Sequence, residues 1–482
     1  MKKFLALIIA VVLAVSGLSV ISITANAATI FISGNYEYTV NSDDTVNIAG
    51  YKGIATDITI PSKILNKNVV KISANSFYNN STLTSVKMPN TIKVVGSMAF
   101  HNCTKLSKVT LPSNLTKIGY NAFEGTTALT TITIPKTLTN SDYSIFRNSG
   151  LKTAIIENGA TAVPAALFSD ANNLTKVTIP NTVKKIGVSA FSNCTKLSSI
   201  TLPNTLTELG YNAFGGTTAL TAITIPKTVT TAGNNVFNGS ALKSAAIEKG
   251  ATAVADNLFC YAKNLTKVTM PNTVKKVGSM SFYGCKSLSS VTLPNTLTEI
   301  GYGAFNGTTA LTTITIPKTV TKAGSDVFMD SGLKTATIEN GAAVVADNLF
   351  KNANNLTKVS IPNTVKKIGS MSFYHCEKLS SVTLPKNLNE IGYKAFDSTK
   401  ALKSITIPKT VTENGNYVFL NSGIETAIIE NGATSVPNNL FSKATNLTQI
   451  TIPNTVKKIG SMSFCGCTKL SSVTLPNTLT SI

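Results

Sequence analysis

Cysteines stand at positions 103, 194, 285, 376 and 467, each 91 residues from the last, and nearly everything between them recurs at that interval. Read from Leu174, one period divides into LTKVTIPNTVKKIGVSAFSNCTK, LSSITLPNTLTELGYNAFGGTTA, LTAITIPKTVTTAGNNVFNGSA and LKSAAIEKGATAVADNLFCYAKN. These are four variants of one unit of 23, 23, 22 and 23 residues. A unit this short cannot bury its own apolar side chains. It must stack on its neighbours, so the period predicts a solenoid before any local propensity is consulted. A repeated surface also implies binding, although it does not name a ligand.

Within a unit, L-x-x-V-x-I-P turns Leu174, Val177 and Ile179 inward and leaves Lys176 and Thr178 on an outer strand face. Pro180 ends the strand. Val183 and Ile186 return to the core as a second short extended piece, and Gly187 suits a corner that a Cβ would crowd. Ala190-Phe191 is expected to close the coil as a single helical turn before Cys194. The expected fold is a strand-dominated α/β-type repeat solenoid, a right-handed leucine-rich repeat stack. A parallel sheet forms one face, and short extended and helical-turn segments form the other. About 18 coils over residues 58–482 would span on the order of 85 Å.

The ends differ from the middle. Residues 28–57 alternate apolar and polar side chains around Asp43-Asp44, which predicts an N-terminal hairpin that caps the first coil. From Leu83 the units run in strict register, and the one that begins at Leu470 stops at Ile482. With no closing cap, the sequence reads as truncated, and its open last coil is expected to associate end to end. Lys2 and Lys3, an apolar run from Phe4 to Val20 and Ala25-Asn26-Ala27 predict a signal peptide over residues 1–27, with an uncleaved anchor as the alternative. No cysteine stands directly after that site, which disfavours a lipoprotein. No later segment approaches the length of a membrane span, so the mature chain is expected outside the cell.

The formal charge of +21 falls to +19 without the two leader lysines, yet only 13% of residues are charged. Such a surface favours acidic partners: glycans, teichoic acids or acidic host proteins. Solubility alone would also account for the lysines. Nucleic acid is disfavoured, because the chain has no Trp and no aromatic interleaving among its basic residues.

Disulfides are not expected despite the seven cysteines. Periodic cysteines lie four coils apart, about 19 Å, against the ~5.5 to 6 Å that a disulfide requires between Cα atoms. Each instead occupies the same place in F-x-x-C-x-x-L and is expected to pack as a small buried hydrophobe. Cys260 and Cys465 stand outside the period, at positions expected to be exposed. Cys465-Gly466-Cys467 lacks the further ligands of a zinc site.

The motif L-x-x-V-x-[IL]-P-x-x-[VL]-x-x-[IL]-G-x-x-[AS]-F-x-x-C resembles the BspA-like (treponemal-type) leucine-rich repeats, most closely over Leu265–Ser287 and Leu356–Lys378. Tyr36-Glu37-Tyr38, Tyr51-Lys52-Gly53 and Ile60-Pro61 resemble that family's entry segment, so the likeness covers roughly residues 31–482. The fourth line departs from it, replacing Pro with Glu157-Asn158-Gly159 and its counterparts at 248, 339 and 430. The resemblance implies an exported bacterial surface protein linked to adhesion, including to fibronectin and fibrinogen. It implies no catalytic residues, and fold alone does not supply a function.

Three surfaces are candidates for contact. On the strand face, one row carries Thr178, Thr269 and their equivalents, and beside it stand Lys176, Lys267 and Lys358. Stacked threonines suit a parallel sheet, where their hydroxyls could pair, and the neighbouring row is too irregular for an ice-like lattice. Every fourth strand interrupts that row, placing Ile155 and Ile428 on a solvated face as contact points for a protein. A lateral face carries Lys184, Lys275 and Lys366. Their neighbours Lys185, Lys276 and Lys367 fall one unit before Glu208, Glu299 and Glu390 and should pair with them.

Catalysis finds little support. His101 and His375 have no evident acid and hydroxyl partners, and the glutamates of the fourth line are about 19 Å apart, too wide for a carboxylate pair. No metal, phosphate or nucleotide motif appears, and no cofactor is expected. The expected function is adhesion, with the strand face binding an extracellular protein, such as a host matrix protein, or an acidic cell-surface polymer. The alternative is a passive stalk that displays a further C-terminal module or anchor.

Overall fold

The computed structural model describes residues 29–482, and the leader expected over residues 1–27 lies outside them. Three antiparallel strands come first: β1 (Phe31–Ser33), β2 (Tyr36–Val40) and β3 (Val46–Tyr51). β3 then pairs in parallel with Lys67–Ile72, and the coils that follow add in the same sense. The result is a strand-dominated parallel solenoid of stacked coils.

Two ladders run along it. The first face is built from strands such as Thr131–Ile134, Thr153–Ile156 and Lys176–Thr178, in register as Thr133, Ile155 and Thr178. Alternation along each strand buries Ile132 and Ile134 and exposes Thr131 and Thr133. The lateral ladder is built from two-residue strands such as Lys185–Ile186, Glu208–Leu209 and Thr231–Ala232.

The core is a file of phenylalanines. Phe77 to Phe464 contribute one ring per coil, and adjacent centroids lie between 4.9 Å (Phe77 and Phe100) and 5.9 Å (Phe441 and Phe464). Rings at this distance in parallel offset contact add about 0.5–1.5 kcal/mol per pair beyond their burial. The F in each unit therefore fixes register between coils as well as filling space.

The helical turn expected at Ala190-Phe191 does not form, and the described residues contain no helix. Corner N–H groups alternate between two partners. Ala166 and Phe168 donate to the next coil's Val188 and Ala190 carbonyls at 2.8 and 2.9 Å, while Ser169 and Ala171 donate back within their own coil at 3.0 Å. Two residues in each corner are left-handed, for example Ser189 (φ 53°) and Asn193 (φ 58°), which a continuing α-helix excludes. Hydrogen bonds between coils take the place of the helical ladder. Gly187 permits the close approach, since a Cβ there would stand 2.5 Å from the Ala165 nitrogen.

All seven cysteines are free. Cys103, Cys194, Cys285 and Cys376 are fully buried, and Cys467 is half-buried beneath the partial unit from Leu470. Cys260, expected at an exposed position, is buried at 4% exposure. Its counterparts Ser169 and Ser442 are buried too, because the corner of the following coil, ~4.8 Å away, covers a short side chain here. Cys465 is exposed.

Candidate functional site

On the strand face, Lys176, Thr178, Lys267, Thr269 and Lys358 all point to solvent. Lys267 is aligned between Ser244 and Ser290, and Lys358 between Thr335 and Ser381. Ile155 (44% exposed) is flanked by Thr133 and Thr178, and Ile428 (48%) by Thr406 and Thr451. Each is an isolated apolar side chain within a hydroxyl row.

The hydroxyls of that row do not pair with one another. Among the described residues, cross-coil side-chain bonds come from other positions: Thr175 and Thr266 donate to the Lys152 and Lys243 carbonyls at 3.0 and 2.9 Å, and Thr207 and Thr298 to those of Lys184 and Lys275 at 3.0 and 3.1 Å. Thr178 and Thr269 satisfy nothing inside the solenoid. Their hydroxyls are available to an outside group.

The strand-face ladder is also discontinuous. It links Ala222–Ile225 through to Ser290–Val291, then resumes at Thr313–Ile316 without pairing across the gap. Val291 is therefore half-buried, whereas Val268 in the coil before is 4% exposed. Shallow grooves open at equivalent places: about 550 Å³ around Ser199, Ala222 and Thr224, 470 Å³ around Ser290, Thr313 and Thr315, and 320 Å³ around Val382, Ser404 and Thr406. Nothing in the repeat motif signals this opening, because the units on either side of it have the same apolar pattern.

The glutamates of the fourth line have a structural task. Glu157, Glu248, Glu339 and Glu430 each accept the backbone N–H of the lysine that follows proline in the preceding coil, at 2.9 Å. They tie the third and fourth lines together where the fourth has lost its own proline.

On the lateral face, Lys185, Lys276 and Lys367 lie 2.8, 2.9 and 2.9 Å from Glu208, Glu299 and Glu390. Hydrogen bonding to Glu299 and Glu390 holds the Lys276 and Lys367 ammonium groups above the usual lysine range. Lys184, Lys275 and Lys366 are exposed and form no ion pair among the described residues. The same face carries a feature that the sequence reading passed over. Tyr120, Tyr211, Tyr302 and Tyr393 are 37–49% exposed, one per period. The signal for them was present, as the tyrosine that follows [IL]-G in the second line of each period.

His101 Nδ1 lies 3.3 Å from a Glu124 oxygen, with its ring stacked on Tyr78, and His375 tilts against Tyr374. Among the described residues, no three His, Cys, Asp or Glu side chains are grouped as a metal site, and no helix is long and apolar enough to cross a membrane.

The family model described as BspA type leucine rich repeat region matches residues 55–175, 161–285, 252–380 and 366–482. Solved structures similar to this chain include a leucine-rich repeat protein from Bacteroides ovatus, 22% identical with a TM-score of 0.49, covering 88% of this chain and 100% of that one. A leucine rich cell surface protein from Faecalibacterium prausnitzii is 27% identical, with a TM-score of 0.38 and coverage of 76% and 95%. A leucine-rich repeat protein from Eubacterium ventriosum is 25% identical, with a TM-score of 0.30 and coverage of 82% and 94%. No curated protein matches the chain.

Proposed function

Because this chain belongs to the BspA-type leucine-rich repeat family, we propose that its strand face is a protein-binding surface displayed outside a bacterial cell, serving adhesion. The observation that carries the proposal is the row of outward threonine hydroxyls with no partner inside the solenoid, set beside Lys176, Lys267 and Lys358. Hydroxyls, spaced cations and the isolated side chains of Ile155 and Ile428 offer many weak contacts and no single deep site. A partner would gain affinity by touching several coils at once, since linked contacts multiply. The basic surface favours an acidic extracellular protein.

The experiment is surface-immobilised binding of the purified chain to fibronectin and fibrinogen, with serum albumin as the control. Lys267→Glu alone should change affinity little. Lys176→Glu, Lys267→Glu and Lys358→Glu together should weaken it, more at low salt than at high, because exposed charges are screened over about 8–10 Å. Loss of binding on changing Lys184, Lys275 and Lys366 instead would move the binding surface to the lateral face. No binding to any extracellular protein would favour a stalk that displays something else.

A further inference from the structure

The tyrosines of the lateral face are unexplained by either the core or the strand face. Tyr211, Tyr302 and Tyr393 are 49%, 47% and 37% exposed, each directly after a corner glycine. Those corners are closely packed. A Cβ at Gly210, Gly301 or Gly392 would stand 2.4–2.5 Å from the backbone nitrogen of the preceding coil's corner, so each ring is carried by backbone packed directly on the coil before. Other coils carry serine at the equivalent positions 279, 325 and 370, so the fold does not require an aromatic there. Yet the second line keeps its tyrosine in every period, while the next residue changes from Asn212 to Gly303 to Lys394. Four such rings, Tyr120 included, stand four coils apart, in a row about 58 Å long.

The polar groups around the rings say what could lie on them. Lys185, Lys276 and Lys367 are answered by Glu208, Glu299 and Glu390, and Asp256 and Asp347 sit in the ring row, accepting the Ser279 and Ser370 N–H groups at 2.7 Å. Positive and negative groups thus both border the rings, and with Lys184, Lys275 and Lys366 as a widely spaced unpaired remainder, charge alone does not select the ligand. Flat, half-exposed rings on a closely packed backbone, bordered by ammonium and carboxylate groups, match a ligand that stacks on them. Tyrosine supplies rigid amphipathic contact area at low entropic cost, while a few placed polar groups orient the ligand.

We propose that this lateral tyrosine row binds a neutral, linear, β-linked polysaccharide. The axial C–H faces of its pyranose rings would stack on Tyr120, Tyr211, Tyr302 and Tyr393. Its hydroxyls would bond to the ammonium groups of Lys184, Lys275 and Lys366 and to the paired glutamates. Each ring is a weak site, and the row gives avidity to a polymer long enough to reach two or more. The strand face takes no part, so this proposal and the protein-binding one stand or fall separately.

The test is native affinity electrophoresis of the whole chain in gels containing soluble mixed-linkage β-glucan, with α-linked dextran, polyphosphate and single-stranded DNA as comparison polymers. Because the chain has no Trp, quenching of tyrosine fluorescence by the β-glucan gives a second readout. The wild-type chain should be retarded by β-glucan and not by dextran, with retardation persisting in 0.5 M salt, a screening length of about 4 Å. Tyr211→Ser, Tyr302→Ser and Tyr393→Ser together should lower apparent affinity about tenfold or more. Tyr→Phe at the same three sites should retain it, and the strand-face lysine variants should be unaffected. Serine already occupies this corner elsewhere, so the triple variant should fold, and an unchanged melting temperature verifies that. Absence of retardation, equal retardation of wild type and the serine variant, or stronger retention by polyphosphate or DNA that salt abolishes would each overturn the proposal.

Discussion

The Cys194 thiol donates to the carbonyl of Phe168, 3.1 Å away and one coil earlier. The same bond recurs from Cys103 to Phe77, Cys285 to Phe259, Cys376 to Phe350 and Cys467 to Phe441. In the coils between, the residue three after phenylalanine is hydroxylic and serves its own coil: Thr217 donates to the Phe214 carbonyl at 2.8 Å and Ser240 to that of Phe237 at 2.7 Å. In the fourth line that residue is alanine (Ala171, Ala262, Ala353, Ala444), whose backbone N–H still bonds the phenylalanine carbonyl but whose side chain has nothing to donate. The cysteine of the following coil reaches back and supplies the side-chain donor in its place. The 91-residue period is thus a cycle of Cys, Thr, Ser and Ala around one row of carbonyls.

Burial in that position pushes the Cys103 thiol up to about 12, and desolvation likewise raises Cys194, Cys285 and Cys376 well above the ordinary value. The folded chain therefore keeps protons that the unfolded chain releases above a pKa of about 8.5. The stabilisation is complete below that pH. It falls by about 1.4 kcal/mol per pH unit for each buried thiol as pH rises toward the folded values. Denaturant midpoints should hold steady from pH 6 to 8 and drop steeply above 9. Cys194→Thr together with Cys285→Thr should flatten the alkaline limb, which urea titrations from pH 8 to 10.5 would reveal.

Thiol accessibility gives an independent check. A thiolate must form and be reached before it reacts, and only Cys465 is exposed in the native chain. Maleimide labelling at neutral pH should modify Cys465 quickly, Cys467 slowly, and the remaining five only after denaturation. Rapid native labelling of Cys194 or Cys285, read by peptide mass spectrometry, would contradict the packing described.

Every line places corner residues in the left-handed region, and in the first line methionine occupies one of them. Met280 (φ 53°) and Met371 (φ 53°) are left-handed, where Asn212, Asn257 and Asn348 occupy the equivalent corners elsewhere. An unbranched side chain in that region costs roughly 1–2 kcal/mol, less for asparagine, whose short amide can bond locally. Met280→Asn and Met371→Asn should each raise stability by about 0.5–1 kcal/mol, measurable as additive shifts in thermal or urea unfolding.

The period, the inward rows and the Lys185 to Glu208 pairing were legible in the sequence because each follows from counting residues around a fixed-length coil. The corner was not. A-F-x-x-C has the spacing of a helical turn, and only the donation of alternate N–H groups to the next coil shows why none forms. Cys260 was misplaced for a related reason: burial there depends on how closely neighbouring corners approach, which a single unit does not reveal. The free hydroxyls of Thr178 and Thr269 were equally hidden, since a threonine row reads alike whether its hydroxyls pair or face solvent. The opening beside Val291 arises between coils of the same pattern.

The most direct test of the strand face as the contact surface is a lysine-reactivity footprint. The chain would be acetylated sparingly, alone and in complex with whichever matrix protein it binds, and each lysine quantified by mass spectrometry. Lys176, Lys267 and Lys358 should be protected severalfold in the complex, while Lys184, Lys275 and Lys366 should react as in the free chain. Protection of the lateral lysines with the strand-face lysines unchanged would contradict the account.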